Sequence, residues 1–145
     1  MDFLTGLRIS SSGMTAQRTR MNAISSNIAN IGTTRTPEGG PYRRKDVVFE
    51  ALPEQKNFGD ILHGEIDPNM QRVQTTDVLS DRGAPIMKYE PNHVDANEDG
   101  YVAYPNINLM EEMTNMIQAT RAYEANVSAL NATKNMALSA LEIGR

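Results

Sequence analysis

The apolar positions of the first thirty residues fall at alternating steps of four and three. Phe3, Leu7, Ser10, Met14, Gln17, Met21, Ile24, Ile28 and Ile31 form this series, and seven of the nine are apolar. Such spacing predicts a helix with a heptad stripe. Asp2 is placed to cap its start, and Asn30 with Gly32 to close its end. The last forty residues repeat the design. Leu109, Met113, Met116, Thr120, Tyr123, Val127, Leu130, Lys134, Ala137 and Leu141 step in the same way, with eight of ten apolar. Pro105 ends the preceding segment, Asn108 is the expected cap, and Glu111 stands where a capping box places its acidic residue. Glu111 and Glu112 suit the positive end of the helix dipole. Gly144 is the expected terminator.

Between these helices the period changes. Residues 46–52, 70–79, 84–90 and 100–105 are short, β-branched or aromatic, and separated by Gly, Pro, Asn and Asp. They predict strands of a small antiparallel unit. Residues 33–45 carry two Pro and two Gly and no stripe, which makes them a loop. The expected fold is therefore mainly α with a small β middle. Residues 1–32 and 107–145 form one discontinuous coiled-coil assembly domain, and 33–106 hold the loop and the β segment.

The residues beside the stripes sharpen this picture. Gly6, Ser10, Ser11, Ser12, Gly13, Ala16 and Ala23 flank the first, and Ala119, Ala122, Ala125, Ala129 and Ala132 the second. Small side chains let helix backbones approach closely, so both helices look prepared for further helices around them. The Ser-Ser-Ser-Gly run has poor helix propensity, which makes the first helix marginal alone. The stripe residues expected at an assembly interface are Leu7, Met14, Met21, Ile24, Ile28, Ile31, Leu109, Met113, Met116, Tyr123, Val127, Leu130 and Leu141.

The chain has 145 residues and a net charge of -4. Residues 1–45 hold seven Lys/Arg against two Asp/Glu, and 46–104 hold four against twelve. A basic head beside an acidic middle can draw one copy to the next, or both can be solvated surface. An acidic balance argues against nucleic acid as the main partner. With no cysteine, disulfides, thiolate metal sites and cysteine nucleophiles are excluded. No apolar run reaches the ~20 residues of a membrane span, so no membrane insertion is expected. The first ten residues lack a basic region before their apolar ones, so no cleaved signal peptide is expected.

The chemistry-bearing residues are few. Asp95, Asn97, Asp99 and Gly100 have the spacing that opens a calcium loop. The twelfth position is Asn106 where a bidentate Glu is needed, and Pro105 opposes the exiting helix. The stretch reads instead as a turn into a strand. His93 lies near two carboxylates, and His63 sits in a separate loop. No nucleophile elbow, phosphate loop or zinc-protease motif is present. No catalytic, metal or cofactor site is therefore expected. The nine methionines fit packing better than any cofactor.

Three blocks carry a resemblance. SSNIANIGTTRTPEGGPYRRKDVVFEA (25–51), GYVAYPNINLMEEM (100–113) and ATRAYEANVSALNATKNMALSALEIG (119–144) resemble the flagellar basal-body rod proteins. The matching motif positions are Asn27, Asn30, Thr36, Pro37, Gly39, Gly40, Pro41, Tyr42, Tyr123, Glu124 and Asn126. Two departures stand out. Asn30 is followed by IGTTRTP where the wider axial family has Thr-x-Gly-Tyr/Phe, and Val94 replaces a usual Pro. The resemblance implies a structural, non-enzymatic rod subunit exported by the flagellar type III apparatus without a cleaved signal. It implies terminal helices packed as coiled coils in a periplasm-spanning rod. The implied partners are proximal and distal rod subunits, the membrane-ring adaptor, further copies of the chain and the export apparatus. An oxidising periplasm also accounts for the lack of cysteine. Two other readings remain: a cytosolic heptad adaptor, and an enzyme using His93 and Asp95.

Overall fold

The computed structural model describes residues 3–53 and 71–143. Helix α1 spans Phe3–Ala29, and strands β1 (Lys45–Pro53) and β2 (Gln71–Ser80) follow. Strands β3 (Ile86–Tyr89) and β4 (Tyr101–Tyr104) lead into helix α2, Leu109–Ile143. Two long helices thus bracket two antiparallel strand pairs, β1 with β2 and β3 with β4. The Asp2 cap, the Gly144 terminator, Met70 of the second expected strand and His63 lie outside the described residues.

Helix α1 contains residues that favour other conformations, and their hydroxyls are absorbed by the helix itself. Ser12 Oγ donates to Ile9 O at 2.7 Å, Thr15 Oγ1 to Ser11 O at 3.0 Å and Thr19 Oγ1 to Thr15 O at 3.1 Å. Such back-bonding satisfies the hydroxyls inside the helix at a slight cost in helix stability. The helix ends where expected, but the stop belongs to Asn30. Its backbone N and its side-chain Nδ2 both donate to Ser26 O, at 3.1 and 2.8 Å. Gly32 takes no left-handed conformation. At the start of α2, Asn108 Oδ1 accepts the backbone N–H of Met110 at 3.1 Å, a cap of the expected kind.

The helices run antiparallel. A methyl on Gly6 would meet Thr133, a methyl on Gly13 would meet Asn126, and Asn27 bonds Glu112. These contacts advance by seven and then fourteen residues in α1 while retreating by the same steps in α2. The close approach needs Gly13, because an added Cβ would stand 3.0 Å from Asn126 Oδ1.

The deepest positions differ from the stripes read off the sequence. In α1 they are Ala16, Ala23, Ile24 and Asn27, and in α2 they are Glu112 and Ala119. All but Ile24, itself a stripe residue, lie one residue before a stripe position, because small and polar residues permit the contact. The half-buried Met116, Tyr123, Leu130 and Ala137 do belong to both series. Beyond Gly6 the first helix is nearly finished, so the last turns of α2 overhang it, and Leu138 and Leu141 are exposed. Among the described residues no helix is long and apolar enough to cross a membrane.

The β1–β2 pair lies along α1, with Val73 N donating to Ser12 Oγ at 3.2 Å. Its register slips by a bulge between Val48 and Phe49. The β3–β4 pair is joined by the stretch with calcium-loop spacing. Here Asn97 Oδ1 accepts Tyr101 N at 2.7 Å, and Gly100 takes φ 81°. Asp95 Oδ2 accepts from Thr34 Oγ1 at 2.8 Å, and its Oδ1 lies 4.0 Å from Arg35. His93 Nδ1 accepts the Asp95 N–H at 3.1 Å. The stretch is a hairpin connection in which His93, Asp95 and Asn97 are bonded within the chain.

Candidate assembly interface

A buried polar cluster joins the C-terminal end of α1, the 33–45 loop, the start of β1 and the start of α2. Its centre is Asn27, which has no solvent exposure. Asn27 Nδ2 donates to Lys45 O at 2.9 Å and to Glu112 Oε2 at 3.0 Å. Its Oδ1 accepts from Lys45 N at 2.8 Å and from Tyr42 Oη at 3.2 Å. Both donors and both lone pairs of the amide are therefore used. Glu112, 1% exposed, accepts Arg44 Nε on Oε1 at 2.8 Å. Arg44 also reaches Asp46 at 3.4 Å. Burial works against the Arg44 charge, but the hydrogen bond and charge of Glu112, with Asp46 behind them, outweigh it and raise its pKa.

The 33–45 loop reaches this cluster through a tight turn. Thr36 N donates to Gly40 O at 2.9 Å and Gly39 N to Thr36 O at 3.0 Å. Gly39 and Gly40 take φ of 89° and 78°, conformations that side chains resist. Pro37 and Pro41 frame that turn. Tyr42 N returns to Thr33 O at 3.0 Å, which brings the Tyr42 hydroxyl under α1.

The structure thus joins Asn27 and Tyr42 directly, while Asn30 braces the helix end. Asn126 lies against Gly13, Tyr123 is half-buried, and Glu124 is exposed on α2. Of the stripe residues, Ile24 is buried, and Leu7, Met14, Met21, Ile28, Ile31, Met116, Tyr123, Val127 and Leu130 are half-buried. Leu109, Met113 and Leu141 are exposed, at 42%, 50% and 71%. With Met110 and Ile117, also exposed, Leu109 and Met113 form an apolar row on the outer face of the first two turns of α2. The row lies on a helix already packed along its other side, so one chain leaves it uncovered.

Sequence reasoning missed the structural roles of Glu112 and Arg44. The signal was present: counting back by heptads from the inward positions Asn126 and Ala119 arrives at Glu112.

Two family models match. The "Flagella basal body rod protein" model covers residues 7–35, and the "Flagellar basal body rod FlgEFG protein C-terminal" model covers residues 98–143. These regions contain the Asn27 end of α1 and all of α2. The flagellar basal-body rod protein FlgC of Borreliella burgdorferi is 41% identical, aligned over 99% of this chain and 98% of the relative. FlgC of Bacillus subtilis is 41% identical over 96% of each, and FlgC of Escherichia coli O157:H7 is 36% identical over the whole of both. The chain belongs to the FlgC family of flagellar basal-body rod proteins. It is a structural subunit of the flagellar basal body, and the family is non-enzymatic.

Proposed function

We propose that the two terminal helices act together as one discontinuous assembly domain, packing with neighbouring rod subunits as coiled coils in the proximal part of the drive shaft. The observation that carries this reading is the exposed row Leu109, Met110, Met113 and Ile117, with the overhanging Leu138 and Leu141. One chain leaves these side chains in water. Helices from neighbouring copies, proximal and distal rod proteins and the membrane-ring adaptor would cover them. The small residues Ala125, Ala129 and Ala132, exposed on α2, support such close packing. The overhanging end of α2 orders fully only in the rod. Coupled ordering of this kind draws roughly 2–5 kcal/mol or more from the interaction energy, which keeps subunits apart before assembly. Export through the flagellar type III apparatus, without a cleaved signal, and assembly in the periplasm complete the reading.

The test is Met113→Asp combined with Ile117→Asp. Both sites are exposed, so the monomer should fold with unchanged helix content, while motility of a strain carrying only this variant is lost. Normal motility would reject the reading.

A further inference from the structure

A groove of about 970 Å³ runs between the N-terminal half of α1, the start of β2 and the C-terminal half of α2. Leu7, Ala16 and Leu130 supply apolar wall, and Arg8, Arg72 and Lys134 supply positive charge. None of its lining residues is acidic. Arg72 Nε is buried and has no hydrogen-bond partner among the described residues. A buried donor left so is stabilised by an incoming acceptor.

The complementary surface is on the same chain. Asp46 pairs with Leu79 and Val48 with Asp77 across β1 and β2, so these four share one face. Glu50 joins them by alternation along β1, and Thr76 Oγ1 donates to it at 3.1 Å. All five side chains are exposed, while Val47 and Phe49 of the opposite face are half-buried. Three carboxylates therefore surround an apolar pair, Val48 and Leu79. Asp46 is met by Arg44, and Asp46 and Asp77 each accept the next backbone N–H with one oxygen.

We infer that the acidic outer face of the β1–β2 pair of one copy seats in the basic groove of the next. This inference rests on the assembly reading above and names a contact separate from the apolar row of α2. The groove and the strand face share no residue, so the contact joins two unlike surfaces. A contact between two unlike surfaces is head-to-tail, and it builds an open helical array when its rotation does not close a ring. Opposite charge supplies its direction.

The chain has no cysteine, so introduced ones report cleanly. Basal bodies would be purified from a strain whose only copy carries Thr15→Cys, on the groove, and Val48→Cys, on the strand face. Mild oxidation should yield dimers and longer cross-linked ladders, and neither single variant should yield ladders. Normal incorporation without cross-links would overturn the inference. A charge exchange gives the second test. Arg72→Glu with Lys134→Glu, and Glu50→Lys with Asp77→Lys, should each abolish motility, and co-expression should restore it because each variant then meets its complement. Motility with either variant alone, or none with both, would overturn the inference. A strain that swims with Met113→Asp and Ile117→Asp while the ladder persists would fail the helix reading and leave this contact standing.

Discussion

The side-chain amide of Asn27 pairs with both peptide groups of Lys45 as a neighbouring strand would, at 2.9 Å to the carbonyl and 2.8 Å from the N–H. One residue at the end of α1 thereby fixes where β1 begins, and through Glu112 it fixes where α2 begins. Asn27→Ala leaves both peptide groups of Lys45 and Oε2 of Glu112 without this partner, while Tyr42 keeps Ser26 Oγ and Glu112 keeps Arg44. Each unsatisfied buried group costs about 1–3 kcal/mol, and water entering the space recovers part of it. The expected loss is about 2–4 kcal/mol in denaturant unfolding. A change below 0.5 kcal/mol, the ordinary range for a surface substitution, would contradict the arrangement.

Glu112 and Arg44 form an ion pair with one partner almost fully buried. Removing a single partner of such a pair costs about 3–5 kcal/mol, while replacing both with apolar groups of similar size is often nearly neutral. Glu112→Ala should therefore destabilise strongly, and Arg44→Met with Glu112→Leu should cost less than the two single changes combined. A double-mutant cycle by thermal unfolding checks this. Strict additivity would show that the two side chains do not act as a pair.

Gly100 takes φ 81°, and a methyl there would stand 2.9 Å from Tyr89 Cε2. That ring packs edge-on to Tyr101, centroids 5.3 Å apart. Gly100→Ala must strain the backbone and displace the ring, at about 1–3 kcal/mol for the backbone alone. Gly32→Ala is the control, since nothing lies within 4 Å of its added methyl. It should be within about 0.5 kcal/mol of neutral. Equal effects at both sites would refute the hairpin geometry.

The β3–β4 pair should also respond to pH. Hydrogen bonds from Lys88 and then Tyr104 hold the Glu90 carboxyl below its ordinary value of 4.5. A lowered carboxylate pKa adds stability above the unfolded value, and that stability is lost as pH falls through the folded one. Chemical shifts of Tyr89, Tyr101 and Tyr104 should therefore report loosening below pH 4.5. Glu90→Gln should flatten that acid response. The Tyr104 phenol is raised above 10.0, chiefly by its bond to Glu90, so the same substitution should shift part of the tyrosinate absorbance to lower pH. An identical titration in both proteins would contradict the contact.

The elements were legible in the sequence because their periods are strong. Both helices, the loop and the four strands lie within a few residues of where spacing and turn residues place them. The cap at Asn108 and the stop at Asn30 were legible for the same reason, since local hydrogen bonding decides them. The stripes include the buried Ile24 and the half-buried Met116, Tyr123 and Leu130, but the other deepest positions stand one residue before them. Apolar spacing finds where Leu and Met recur, yet close helix approach selects Gly13, Ala16 and Ala119 and then buries Asn27 and Glu112 where they can bond. That pairing spans 85 residues of sequence, and no local pattern encodes it. Leu109 and Met113 stand on the apolar stripe yet are exposed, because apolar spacing alone does not tell which part of a helix its own chain covers.

Hydrogen exchange resolved by segment, on the soluble chain and on purified basal bodies, tests the central claim most directly. In the soluble chain, amides around Asn27 and Glu112 should be protected, while residues 138–143 exchange rapidly. In basal bodies, residues 138–143 should become protected as neighbouring helices cover them. Equal protection of that segment in both states would contradict assembly through the terminal helices.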